Sequence, residues 1–112
     1  MRYQNIPPIT RTEAEEALAS ENRDVICNAL VSLALHDPDW HWVQEHCLRL
    51  ATHRDPWVKG AAAISLGHLA RIHRILDLEP VLRVLGDLSN DSEVAGIAED
   101  ALADIRFFIG RK

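Results

Sequence analysis

Histidine is the residue type in this 112-residue chain that most invites a chemical reading, with six copies. His36, His41, His46 and His53 follow one another at spacings of 5, 5 and 7. Five residues turn a helical side chain by about 140°, so His41 and His46 face different sides. His46 and His53 share a face but stand two turns apart, too far for one ion. His68 and His73 fail for the same reason as His41 and His46. Glu45-His46 lacks the second histidine that an H-E-x-x-H zinc motif needs. His41 and Glu45, at i,i+4, could ligate a metal or form a simple helix-surface pair. They meet a two-ligand minimum and nothing more, so no metal and no cofactor are expected.

Nucleophilic chemistry is no better provided for. Cys47 follows His46, but adjacent helical side chains point about 100° apart and cannot form a dyad. Ser32 and Ser65 fall on an apolar stripe, where a small side chain lets helices approach. Gly60 and Gly67 lie seven apart inside a helical pattern, the wrong context for a phosphate loop. Each costs roughly 1 kcal/mol relative to alanine there, so each needs a reason. Close contact with a neighbouring helix is one; a smooth groove floor that admits a partner is the other. No catalytic residue is expected. Cys27 and Cys47 form no C-x-x-C pair and read as reduced core cysteines, which points to the cytoplasm.

Surfaces offer more than catalysis does. Trp40 and Trp57 fall in first turns of helices and are expected to be more exposed than Trp42; tryptophan anchors dominate many interfaces. Opposite its apolar stripe the last helix carries Glu99, Asp100 and Phe107, with Asp104 alongside. Asp100 and Asp104 are one turn apart and repel. Such a face is either simply solvated or a docking surface for a basic protein. Glu99, Asp100, Asp104, Phe107, Trp40 and Trp57 are therefore the candidate partner-binding residues.

The elements that must position these residues are all helices. With 47% hydrophobic residues, mostly Ala, Leu, Ile and Val, the chain can form a packed core. Its length suits one domain spanning 1–112. Residues 1–9, with Pro7-Pro8, read as an extended lead-in. Thr10 or Thr12 can cap a first helix ending near Ser20, and Asn22 caps a second. A third runs over about 39–53. Asp55-Pro56 opens a fourth that extends to about His73. A fifth starts at 77–80 and ends near Ser89; Asn90-Asp91 starts a sixth reaching about Ile109. Short linkers predict three antiparallel hairpins.

The even-numbered helices repeat one design. Val58, Ala62, Ser65 and Leu66 correspond to Val94, Ala98, Ala101 and Leu102, 36 residues later. Val25, Ala29, Ser32 and Leu33 correspond to them 33 residues earlier. The fourth helix is apolar or small on nearly every side, as an enclosed central helix is. Residues 55–67, Asp-Pro-x-Val-x-x-x-Ala-x-x-x-Leu-Gly, resemble the second helix of a HEAT repeat. Residues 91–102 look like the same helix without the proline. The resemblance implies an all-α fold, a short right-handed α-solenoid of about six helices in three hairpins.

A net charge of −5 argues against nucleic acid and anionic membrane as partners, since both need a basic patch. No run reaches the roughly 20 apolar residues of a membrane span, and the start lacks a signal-peptide core. HEAT-like proteins serve mainly as scaffolds and adaptors, and some small stand-alone bacterial ones are immunity proteins. The resemblance and the charge together imply a non-enzymatic protein-binding module, an immunity protein that occludes a cognate basic toxin. The alternatives are a scaffold or adaptor subunit, or a lyase-like or base-processing HEAT enzyme.

Overall fold

The computed structural model describes residues 6–109. Among them are six α-helices and no strand: α1 (Arg11–Ala19), α2 (Arg23–His36), α3 (Trp40–Leu50), α4 (Pro56–His73), α5 (Leu78–Ser89) and α6 (Ala95–Phe108). α1 packs on α2, α3 on α4 and α5 on α6; α4 also packs between α2 and α6. Buried residues from all six helices join in one core. No helix is long and apolar enough to cross a membrane.

Local chemistry explains the helix starts. Thr10, not Thr12, caps α1: its hydroxyl accepts from the Glu13 N–H while the Glu13 side chain accepts from the Thr10 N–H. Asn22, Asp39 and Asp55 cap α2, α3 and α4. Two boundaries differ from expectation. α3 stops at Leu50, three residues early, because the Thr52 and His53 N–H groups turn back to the Arg49 and Leu50 carbonyls. α6 begins at Ala95, not at Asn90-Asp91. There the Asp91 side chain accepts from Glu93 N–H and its carbonyl from Val94 N–H, closing a separate turn with no proline to set the first helical residue.

The lead-in is described from Ile6; residues 1–5 lie outside the described residues, as does Gly110 beyond the last helix. Its backbone is tied to α2, with the Ser32 hydroxyl donating to the Pro7 carbonyl at 2.7 Å and His36 Nε2 2.7 Å from the Ile6 carbonyl.

α4 is the enclosed helix that its composition predicts. Val58, Ala62, Ser65, Leu66 and Leu69 are fully buried; on the opposite side Gly60, Ala63 and Gly67 are buried and Ile64 is half-buried. The repeat breaks at the first copy: Val25 is exposed, while its counterparts Val58 and Val94 are buried. α2 has α4 on one side and no further inner helix on the other. Val25 therefore borders an open hollow with Ile6 and Ile9. In the third copy Leu102 is only half-buried, since α6 likewise ends the row.

A ladder of ion pairs links the repeats. Arg23 Nε donates to Asp55 Oδ2 at 2.9 Å, and Lys59 Nζ pairs with Asp91 Oδ2. Both spans are 32 residues. Arg11 pairs with Asp37 and with Asp39, at 3.2 and 3.1 Å. In each of Asp39, Asp55 and Asp91 one carboxylate oxygen accepts from a following backbone N–H and the other meets the cation. The Arg23 guanidinium and the Lys59 ammonium hold Asp55 and Asp91 below the ordinary carboxylate range. For Asp39 the Trp42 N–H is the first cause and Arg11 the second.

Candidate protein-binding groove

The groove starts from two missing side chains. Gly60 and Gly67 face α6. A Cβ at Gly60 would stand 3.3 Å from Ile97 Cδ1. One at Gly67 would stand 3.0 Å from Asp104 Oδ2 and 3.6 Å from the Ala101 backbone. The glycines thus let α6 seat closely on α4 and also form part of the floor above the seam. The close-contact reading of these glycines is the one that this packing bears out.

Two hollows run along that seam. One, of about 450 Å3, is bordered by Trp57, Gly60, Ile64, Glu93 and Ile97. The other, of about 210 Å3, is bordered by Ile64, Gly67, His68, Asp100 and Asp104. Ile64 and Ile97 border both, so the hollows lie side by side as one furrow along the seam. Its chemistry is an apolar floor with a half-exposed tryptophan at one end and carboxylates along α6. No ion pair among the described residues involves Glu93, Asp100 or Asp104. Near the far end Arg71 lies 2.8 Å from His68 Nδ1. Burial pushes the His68 imidazole below its ordinary range; Arg71 lowers it further and Asp104 opposes the shift.

The structure sorts the sequence candidates. Trp57 is 46% exposed and borders the furrow. Its own carbonyl accepts from Cys27 Sγ at 3.4 Å. Asp100 is exposed and Asp104 half-buried; both border the furrow. Phe107, 66% exposed, continues their stripe by helical spacing and meets the Phe108 ring edge-on at 4.8 Å. Glu99 is exposed but stands about 140° around α6 from Asp104. Trp40 corrects the expectation of exposure: it is half-buried and packs against the core, with the His41 ring 5.3 Å away. Trp42 is also half-buried, with the Arg11 guanidinium 4.0 Å above its ring.

Sequence reasoning placed Ile64 on the face of Gly60 and Gly67 but missed Ile97, Glu93 and His68 as furrow residues. Ile97 reads as an ordinary apolar helix position, and only helix packing makes it floor. It also missed that Asp77 joins His41 and Glu45, the one trio of metal-ligand residue types gathered among the described residues. Cys47 is fully buried, and burial pushes its thiol far above the usual range. The Ser65 hydroxyl is buried with no hydrogen-bond partner among the described residues.

Fold and furrow define the class: an all-helical protein, among its described residues, with an apolar groove bordered by carboxylates. No family model matches the chain, and no curated protein sequence matches it. A chain in the crystal structure of a CDI complex from Cupriavidus taiwanensis LMG 19424 does, with 37% identity, coverage of 96% of this chain and 97% of that one, and a TM-score of 0.80. At that identity over nearly the whole of both, this chain belongs to the same family as that component of the CDI complex.

Proposed function

We propose that this chain is an immunity protein that binds a cognate toxin and occludes it. The observation that carries this is the near full-length likeness to a component of a CDI complex, a setting of contact-dependent inhibition in which toxin and immunity protein pair. The chain's charge and groove support the immunity side of such a pair. It carries 17 acidic against 12 basic residues, and the carboxylates bordering the furrow form no ion pair among the described residues.

The groove between α4 and α6 takes an apolar or aromatic segment of the toxin flanked by Lys or Arg. Trp57 and Phe107 anchor its two ends, and Asp100 and Asp104 steer the basic flank. Glu99, about 140° around α6 from Asp104, and Trp40, packed against the core, are not needed for that contact. A stable complex needs about 1,600 Å2 of buried surface in total, more than the furrow alone, so the contact extends onto neighbouring helices. The mechanism is coverage of the toxin's working face, which requires no chemistry from this chain. The protein acts in the cytoplasm, where a delivered toxin would meet it. We further infer that the three hairpins stack as a short right-handed α-solenoid of HEAT type; the row α2, α4, α6 supports this.

The test is protection in cells. A candidate cognate toxin domain is induced with and without this chain, and growth is followed. Restored growth, together with co-purification of the pair, is the expected result. Unrelieved arrest when both proteins are made and soluble would overturn the proposal.

A further inference from the structure

Asp77 differs from the polar residues that cap four of the other helices. The side chains of Thr10, Asn22, Asp39 and Asp55 each accept an N–H from the helix they precede. Asp77 precedes α5 and makes no such bond. Its Oδ2 accepts from Gln44 Nε2 at 2.8 Å, and its N–H donates to Gln44 Oε1 at 2.7 Å. Gln44 is fully buried on α3, so it is a fixed bracket for Asp77.

The bracket brings the Asp77 carboxylate to two residues of α3. His41 Nε2 lies 3.0 Å from Asp77 Oδ2 and 3.8 Å from Glu45 Oε2. One ligand atom from each of the three lies within 4.8 Å of the others. A tetrahedral ion with bonds of about 2.0–2.1 Å holds its ligand atoms roughly 3.3–3.4 Å apart; the two measured separations fall on either side of that. No Lys or Arg among the described residues pairs with Glu45 or Asp77. With a neutral imidazole the trio holds two negative charges and no positive one. The side chains are 45–58% exposed, so an ion can reach them and a water can complete its shell.

We propose that His41, Glu45 and Asp77 form a zinc-type divalent-cation site, with Gln44 as its positioning residue. One imidazole nitrogen and two carboxylate oxygens suit Zn2+ better than Mg2+ or Ca2+, which take oxygen ligands and, for Ca2+, more of them. The ion replaces the contact between His41 and Asp77 and ties α3 to the start of α5. The core is complete without it, so the ion adds to stability and is not a condition of folding. The site is separate from the groove and stands independently of the immunity proposal.

The experiment uses full-length, tag-free protein stripped with EDTA and titrated with ZnCl2 by calorimetry, beside MgCl2. One Zn2+ per chain is expected, with no response to Mg2+. Zn2+ at about 100 times its Kd should raise the Tm by roughly 5–10 °C. Asp77→Asn keeps an oxygen for Gln44 and the backbone N–H, so it should fold; it and His41→Ala should each weaken binding at least about tenfold. Glu79→Gln, an exposed carboxylate on the same helix outside the trio, should leave binding unchanged. Circular dichroism of each apo variant confirms that the fold is kept. No zinc uptake by the wild type, or uptake that either variant leaves intact, would overturn the site. An equal response to Mg2+ would overturn its zinc character.

Discussion

Two histidines beside arginines make stability depend on pH. Burial pushes both the His46 and His68 imidazoles below their ordinary 6.5, and Arg49 and Arg71 add to the shifts. A lowered folded value means that the unfolded chain binds these protons more readily. Their contribution is complete above about pH 6.5 and is lost as pH falls from there through the folded values. Asp39, Asp55 and Asp91, held below 3.8, act in a separate and lower window, losing their contribution only as pH falls through those values. Melting curves stepped from pH 7.5 to 5 should therefore show a falling Tm well before the carboxylates titrate. His68→Gln should flatten the fall. An unchanged slope would place the effect elsewhere.

At the scale of elements, capping chemistry and the enclosed α4 matter most. The ladder Arg23–Asp55 and Lys59–Asp91 ties the start of α2 to the start of α4, and α4 to the turn before α6, so the Asp55 cap fixes both a helix boundary and a helix position. Between them α4 buries Leu66 completely against its neighbours. Leu66→Ala should cost about 2–5 kcal/mol, the range for leucines whose cavity cannot collapse. Urea unfolding with a shared m-value measures it. A loss under about 0.5 kcal/mol would contradict the packing described for this helix.

The whole molecule assembles what no single helix holds. Trp57 on α4 and Asp100 and Asp104 on α6 border one furrow only because Gly60 and Gly67 let the two helices close up. If that furrow receives a basic toxin segment, removing its charge should slow encounter without harming the fold. Asp100→Asn with Asp104→Asn should lower the association rate roughly three- to tenfold at low salt. The difference should shrink as screening shortens to about 8–10 Å near physiological ionic strength. Glu99→Gln, about 140° from Asp104 around the helix, should change the rate less. Stopped-flow association across a salt series, beside a melting curve for each variant, separates docking from structure. An unchanged rate at low salt would move the docking site off this groove.

The sequence alone determined what depends on neighbours along the chain. Helical period, Asp-Pro and Asn caps, and the recurring Val-Ala-Ser-Leu stripe are local signals, and they sufficed for six helices, most of their boundaries and the enclosed character of α4. Local signals misjudged residues whose state depends on what stands beside the helix. Val25 has the stripe's chemistry but lies at an end of the row, and Trp40 has a first-turn position but packs on the core. The late start of α6 came from a competing turn at Asp91. Only tertiary structure brought Trp57 to the acidic stripe, or Asp77 to His41 across 36 residues. Those meetings depend on how close two helices can come and how they are rotated. That is set by side-chain volume at every contact at once, a quantity that no spacing along a single helix contains.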